Sequence, residues 1–237
     1  MTNEPERFFG RLDAHGVGDD QDVAYSMSMA LPAIPVVLPN FRYWPHFFPA
    51  LDQGQTSTCV AHALKHWMQA APVIQTSPTK PPFPKQVYRD LVLLDEWPSN
   101  DGEATAPDSG LVSGTSVRAA FKWAQGHKYV TEYRWALNPA DLAQWVLTKG
   151  PVVIGVGWFD GMMNPDGQGF LYPVGALRGG HSVCVIGRNQ IRGDYTILNS
   201  WGPMWGRGGR ARIKDADLNR LIFEQGGEAA AGLEVRI

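Results

Sequence analysis

Along this 237-residue chain the spacing of apolar residues switches period once, and that switch limits the fold more than any other feature. Four stretches before it carry helical spacing. The clearest covers residues 59–71, with Val60, Ala63, Leu64, Trp67 and Ala71 on one broad apolar face and Ser57 or Thr58 placed to cap it. Residues 85–94 read as a second helix. A third covers residues 115–125, with Gly126 as its stop. Asn138 caps a fourth, Pro139 fits its first turn and Gly150 ends it. Beyond this the pattern is short strands parted by turns, at 152–158, 182–187, 195–198 and 210–213. A last helix is expected over 216–224. Helices dominate the first part and strands the last, which predicts an α+β protein with two unlike lobes.

The connecting segments divide the chain further. Residues 76–84 break structure, and residues 99–114, rich in Gly, Asp and Ser, read as a long loop. Residues 1–36 lack periodicity; 16–22 look like a loop, and 30–40, with three prolines, are expected to run extended. Residues 1–37 are therefore expected to form an N-terminal arm or short pro-region, and 38–237 the functional domain. Nine Trp and seven Tyr argue against disorder. Charged residues are only 19% and the net charge is −2, which leaves no basic footprint for nucleic acid. No apolar stretch approaches the roughly 18 residues of a membrane span. The two cysteines, Cys59 and Cys184, and an acidic N-terminus without an apolar signal core lean toward a cytoplasmic setting, with signal-less export as the alternative.

Chemistry concentrates in three short stretches. Gln53-Gly54-Gln55-Thr56-Ser57-Thr58-Cys59 ends at a predicted helix N-terminus, whose dipole favours the thiolate form of Cys59. Gln53 can turn its side-chain amide toward a developing oxyanion, beside the Cys59 N–H. Gly179-Gly180-His181-Ser182-Val183 follows much later, and its paired glycines let backbone or substrate approach the histidine. Asn199-Ser200-Trp201-Gly202, followed by Trp205-Gly206, supplies an amide oxygen able to orient the imidazole.

Together these stretches resemble the papain family of cysteine peptidases. The match is carried by Asp52-Gln53-Gly54 before Cys59, by Gly180-His181-Ser182-Val183 and by Asn199-Ser200-Trp201-Gly202 with Trp205-Gly206, and Lys149-Gly150-Pro151-Val152 resembles the family's entry into its barrel. The resemblance spans roughly residues 40–237 and follows the Cys-His-Asn template known for that family. It implies a helical lobe over about 50–135, a barrel-like antiparallel lobe over about 136–237, and a cleft between them. It also implies a polypeptide substrate and no cofactor or metal. Cys59 would be the nucleophile, His181 the general base and acid, Asn199 its orienting partner and Gln53 part of the oxyanion hole. Trp201 would shield the His181–Asn199 bond, Trp205 would line the leaving-group side, and Gly180, Gly114 and Thr115 would border the substrate. Thr56 replaces the family's usual disulfide cysteine, Ser57 a glycine and Val60 a tryptophan, so the chain looks like a compact, disulfide-free microbial-type member.

Rival readings attach to the same residues. Cys59, His62 and His66 fall within about 60° on a helical wheel, a conceivable zinc face without a fourth ligand. Cys184 lies in an apolar strand and reads as a buried, inert thiol. Residues 160–167 read as a mobile loop able to touch substrate or a partner, with spacing unlike a calcium loop. For function, a catalytically inactive peptide-binding module and an acyl-transferring transpeptidase or amidase stand beside the peptidase.

Overall fold

A pair of long antiparallel strands divides the molecule. In the computed structural model, which describes residues 25–31, 37–73, 84–94 and 114–234, β3 (Val152–Phe159) runs beside β5 (Leu177–Asn189), with Val153 opposite Cys184 and Ile154 opposite Val183. Side chains alternate across a strand, so each strand serves two cores. Val153, Cys184 and Ile186 join a cluster with Val60, Leu64, Trp67, Leu91 and Phe121. Val152, Ile154, Val156, Val183 and Val185 join another with Leu142, Trp145, Ile197, Ile213 and Leu221. Burial on both faces explains why residues 152–158 read as an unbroken apolar run.

The sheet grows outward from this wall. Beyond β5 come β6 (Asp194–Leu198), β7 (Arg210–Lys214) and the short β4 (Phe170–Leu171). Beyond β3 come β8 (Glu228–Glu234) and β2 (Val130–Trp135). β1 (Phe41–Tyr43) pairs with the far end of β5. The pairings are antiparallel except that of β4 with β7. The helices α1 (Cys59–Gln69), α2 (Pro84–Leu94) and α3 (Val117–Gly126) build the first core. The helices α4 (Pro139–Thr148) and α5 (Asp215–Asn219) belong to the second. This is the expected α+β class, with a helical half and a sheet-rich half.

Several local expectations are corrected. α1 stops at Gln69 rather than at residue 71, because Ala70 leaves the helix to bridge His46. Thr58 holds the N-cap position without a side-chain capping bond. The cap of α3 is Ser116, which accepts from Ala119 N at 3.0 Å, so that helix starts after Thr115. Gly126 is its last residue, but the left-handed conformation falls on Lys128, at φ 62°. Asn138 does cap α4, accepting from Asp141 N at 3.0 Å. The final helix is α5 followed by a π-helical turn over Arg220–Glu224. β1, β2, β4 and β8 lie where the apolar pattern predicts no strand.

Part of the expected N-terminal arm is built into the sheet-rich half. Met27 is fully buried in the second core, and the Tyr25 carbonyl accepts from Trp135 N at 2.8 Å. The expected loops at 16–22, 76–83 and 99–113 lie outside the described residues, as do 32–36.

Candidate active site

His181 occupies β5 directly opposite Val156 and is fully buried. Its Nε2 lies 2.8 Å from Asn199 Oδ1. That oxygen also accepts from Ser200 N at 2.8 Å, which identifies it as the carbonyl end of the amide. A carbonyl oxygen only accepts, so the imidazole carries its proton on Nε2 and Nδ1 is its basic nitrogen. Trp158 packs edge-on against the ring at 4.7 Å between centroids, and Trp201 covers it at 5.0 Å. The two indoles meet at 5.6 Å, and Trp205 extends the stack beyond Trp201, anchored by Nε1 donating to Met163 O at 2.7 Å. Water is thereby excluded from the His181–Asn199 bond, which strengthens it. Trp158 is a residue the sequence reading missed. It shares a strand face with Val156, whose pairing with His181 is set by the sheet register.

Cys59 is the first residue of α1 and fully buried. The N–H groups of that first turn have no intrahelical acceptors and carry the positive end of the helix dipole. The loop before it is folded by its own polar side chains. Thr56 Oγ1 donates to Gln53 O at 2.6 Å, Gln53 Nε2 donates to Thr56 O at 2.8 Å, and the Thr56 and Thr58 hydroxyls meet at 2.7 Å. This local bonding takes the Thr58 side chain away from helix capping. Gly54 N donates to Asp52 Oδ1 at 2.9 Å and takes φ 60°, which closes the turn.

The two halves are joined by a short ladder. Gln53 N donates to Ser200 O and Gly202 N to Leu51 O, both at 2.9 Å, with Asp52 bridged to Trp201. Ser200 Oγ donates to Gln53 Oε1 at 2.6 Å. The residue next to the imidazole's partner thus holds the glutamine amide. Two glycines permit the approach. A Cβ at Gly202, at φ 77°, would meet Asp52 Oδ2 at 3.0 Å, and one at Gly209 would lie 2.1 Å from Ala50 Cβ. Gln53, His181 and Asn199 are therefore linked in one hydrogen-bonded chain.

The other predicted residues fall as follows. Gly180 is half-buried in β5 opposite Gly157. Gly114 and Thr115 lead into α3 and are buried. The zinc face does not assemble: His62 Nδ1 donates to Thr58 O at 2.8 Å, and His66 Nε2 accepts from Leu51 N at 3.0 Å. Burial pushes the His62 pKa down to about 4. Cys184 is a buried free thiol whose pKa burial raises strongly. The segment read as a mobile loop is tied by its carboxylates. Asp160 accepts from Ala176 N and pairs with Arg178, and Asp166 accepts from Phe170 N, Gln168 N and Tyr172 Oη.

Comparison with known proteins agrees with this geometry. The papain family cysteine protease profile matches residues 105–225, a stretch holding His181 and Asn199. A cathepsin B-like cysteine proteinase 6 of Caenorhabditis elegans is 36% identical over 70 residues, 29% of this chain and 18% of that protein. A gamete and mating-type specific protein A of Dictyostelium discoideum is 34% identical over 110 residues, 46% of this chain and 23% of its own length. The chain thus spans less than a quarter of either relative. Among solved structures, xylellain, a cysteine protease from Xylella fastidiosa, superposes with a TM-score of 0.65 at 19% identity, covering 100% of this chain and 99% of that one. The fold is accordingly the papain-like one.

Proposed function

Because the chain belongs to the papain family of cysteine proteases, we propose that it hydrolyses peptide or isopeptide bonds of polypeptide substrates through a thioester acyl-enzyme on Cys59. One observation carries the reading above the others: the indole-covered hydrogen bond from His181 Nε2 to Asn199 Oδ1. It sets the tautomer that leaves Nδ1 to exchange protons. In acylation, Cys59 gives its thiol proton to His181 Nδ1 and its sulfur attacks the carbonyl carbon. A C–S bond forms and the carbonyl electron pair moves onto oxygen. The Cys59 N–H and the Gln53 amide are the donors for that oxyanion. On collapse the C–N bond breaks, and protonated His181 gives its proton to the leaving nitrogen. In deacylation, His181 takes a proton from water as the water oxygen attacks the thioester, releasing the acid and the thiolate. Trp201 shields the His181–Asn199 bond and Trp205 lines the leaving-group side.

Cys59→Ala tests this directly. Wild type is expected to cleave members of a peptide library and to gain one iodoacetamide adduct by mass. The variant is expected to lose both, with Cys184 unmodified in either protein because burial raises its pKa and keeps it as the unreactive thiol. Cleavage at the wild-type rate by Cys59→Ala would overturn the mechanism.

A further inference from the structure

On α1, two helical turns beyond Cys59, a fully buried histidine makes a long-range bond that packing alone does not require. His66 Nε2 accepts the Leu51 backbone N–H at 3.0 Å. Leu51 is the first residue of the segment that ladders against residues 200–202 and carries Gln53. On the ladder side, Leu51 O and Gln53 N are bonded; on the other side, Leu51 N is bonded to α1. The segment is thus gripped from both flanks. Resting on the peptidase reading above, we propose that His66 is a positioning residue for the reaction: through Leu51 it holds the Gln53 amide in register with the Cys59 N–H.

Three observations support the assignment. The bond needs a lone pair on Nε2, so the ring must be neutral with its proton on Nδ1. That Nδ1 is buried without a hydrogen-bond partner. A side chain present only to fill space would be better as an aliphatic one, since an unpaired buried donor is destabilising. The groups facing the ring are His46, edge-on at 5.1 Å between centroids, His62 one turn back on α1, and Arg210 from β7. Burial holds the His66 pKa well below the ordinary value and the Arg210 guanidinium repels a proton there, so the acceptor state is the one maintained. The geometry also explains why the grip lies on α1. Cys59 N–H and His66 belong to the same rigid helix, about 10 Å apart along its axis, so one helix references both donors of the oxyanion site.

The test compares His66→Leu with His66→Gln, whose Oε1 can reach the place of Nε2 and accept the same N–H. His66→Leu is expected to lower kcat about tenfold to a hundredfold, with KM changed less than about threefold, because a displaced oxyanion donor is felt mainly in the transition state. Its rate of alkylation by iodoacetamide stays near wild type, since that displacement builds no oxyanion. His66→Gln recovers most of kcat. Wild-type kcat in His66→Leu, no recovery in His66→Gln, or an alkylation rate that falls in step with kcat would each overturn the proposal. Amide hydrogen exchange gives an independent reading. Leu51 N–H is expected to be protected in wild type and His66→Gln and unprotected in His66→Leu; equal protection in all three overturns the clamp. Should wild type neither cleave peptides nor alkylate at Cys59, the peptidase reading fails, while the exchange result still decides whether the clamp exists.

Discussion

His181 sits in a thirteen-residue strand between two indoles, whereas Cys59 follows a loop that has no apolar residue inside it. The imidazole is positioned by packing around its hydrogen bond to Asn199. Its surroundings are Trp158, Trp201 and the neighbouring strand β3, so many small contacts share the task. The Gln53 amide is positioned by hydrogen bonds with Thr56, Ser200 and the 51–53 ladder. Packing tolerates a change of shape by small adjustments; a hydrogen bond is made or lost. Precision in the loop half therefore depends on individual polar atoms, and a single hydroxyl there matters more to catalysis than an aromatic ring in the other half.

That contrast can be broken by substitution. Asn199→Ala removes the amide oxygen that accepts from His181 Nε2, and kcat is expected to fall about a hundredfold, as loss of oriented acid–base chemistry does. A smaller loss would mean that the indoles alone hold the ring. Ser200→Ala deletes the hydroxyl that fixes Gln53 Oε1 and is expected to cost about tenfold in kcat with little change in KM, since a misaimed oxyanion donor is the defect. Trp158→Phe keeps an aromatic face against His181. It is expected to destabilise the fold by about 1–3 kcal/mol in chemical denaturation and to change kcat less than about threefold. If Trp158→Phe harms turnover more than Ser200→Ala, the contrast is inverted.

The smallest effect near neutral pH concerns α1 itself. Burial lowers the pKa of His62 in the folded protein to about 4, against about 6.5 unfolded. Its contribution to stability is complete above about pH 6.5 and is lost as pH falls through that value toward 4, because the unfolded chain binds the proton first. Unfolding free energies measured between pH 7 and 4 should fall by at most about 1.4 kcal/mol per pH unit for this group. His62→Gln should make that slope shallower; an unchanged slope would assign the acid loss elsewhere.

Much of this arrangement is legible in the residues. The helical face of Val60, Ala63, Leu64 and Trp67, the Asn138 cap and the strand runs follow from period and turn chemistry, which are local properties. Cys59, His181 and Asn199 stand out in the sequence because their residue types and order have few other uses. What escapes is set by distant partners. β8 reads as no strand because it is alanine-rich, yet small residues are needed there: a Cβ at Gly232 would lie 2.8 Å from the Trp67 ring. Trp158 escapes because both faces of β3 are buried and the apolar run does not say which face meets the imidazole. The Leu51–His66 bond joins residues fifteen apart whose approach depends on the ladder with residues 200–202.

Met27, plugged into the second core beneath the backbone contact between Tyr25 and Trp135, has a practical consequence for anyone trimming or tagging this protein. A cut downstream of it would uncork the sheet-rich half and open a hole worth about 2–5 kcal/mol. A fusion joint that leaves this core closed therefore belongs upstream of Tyr25.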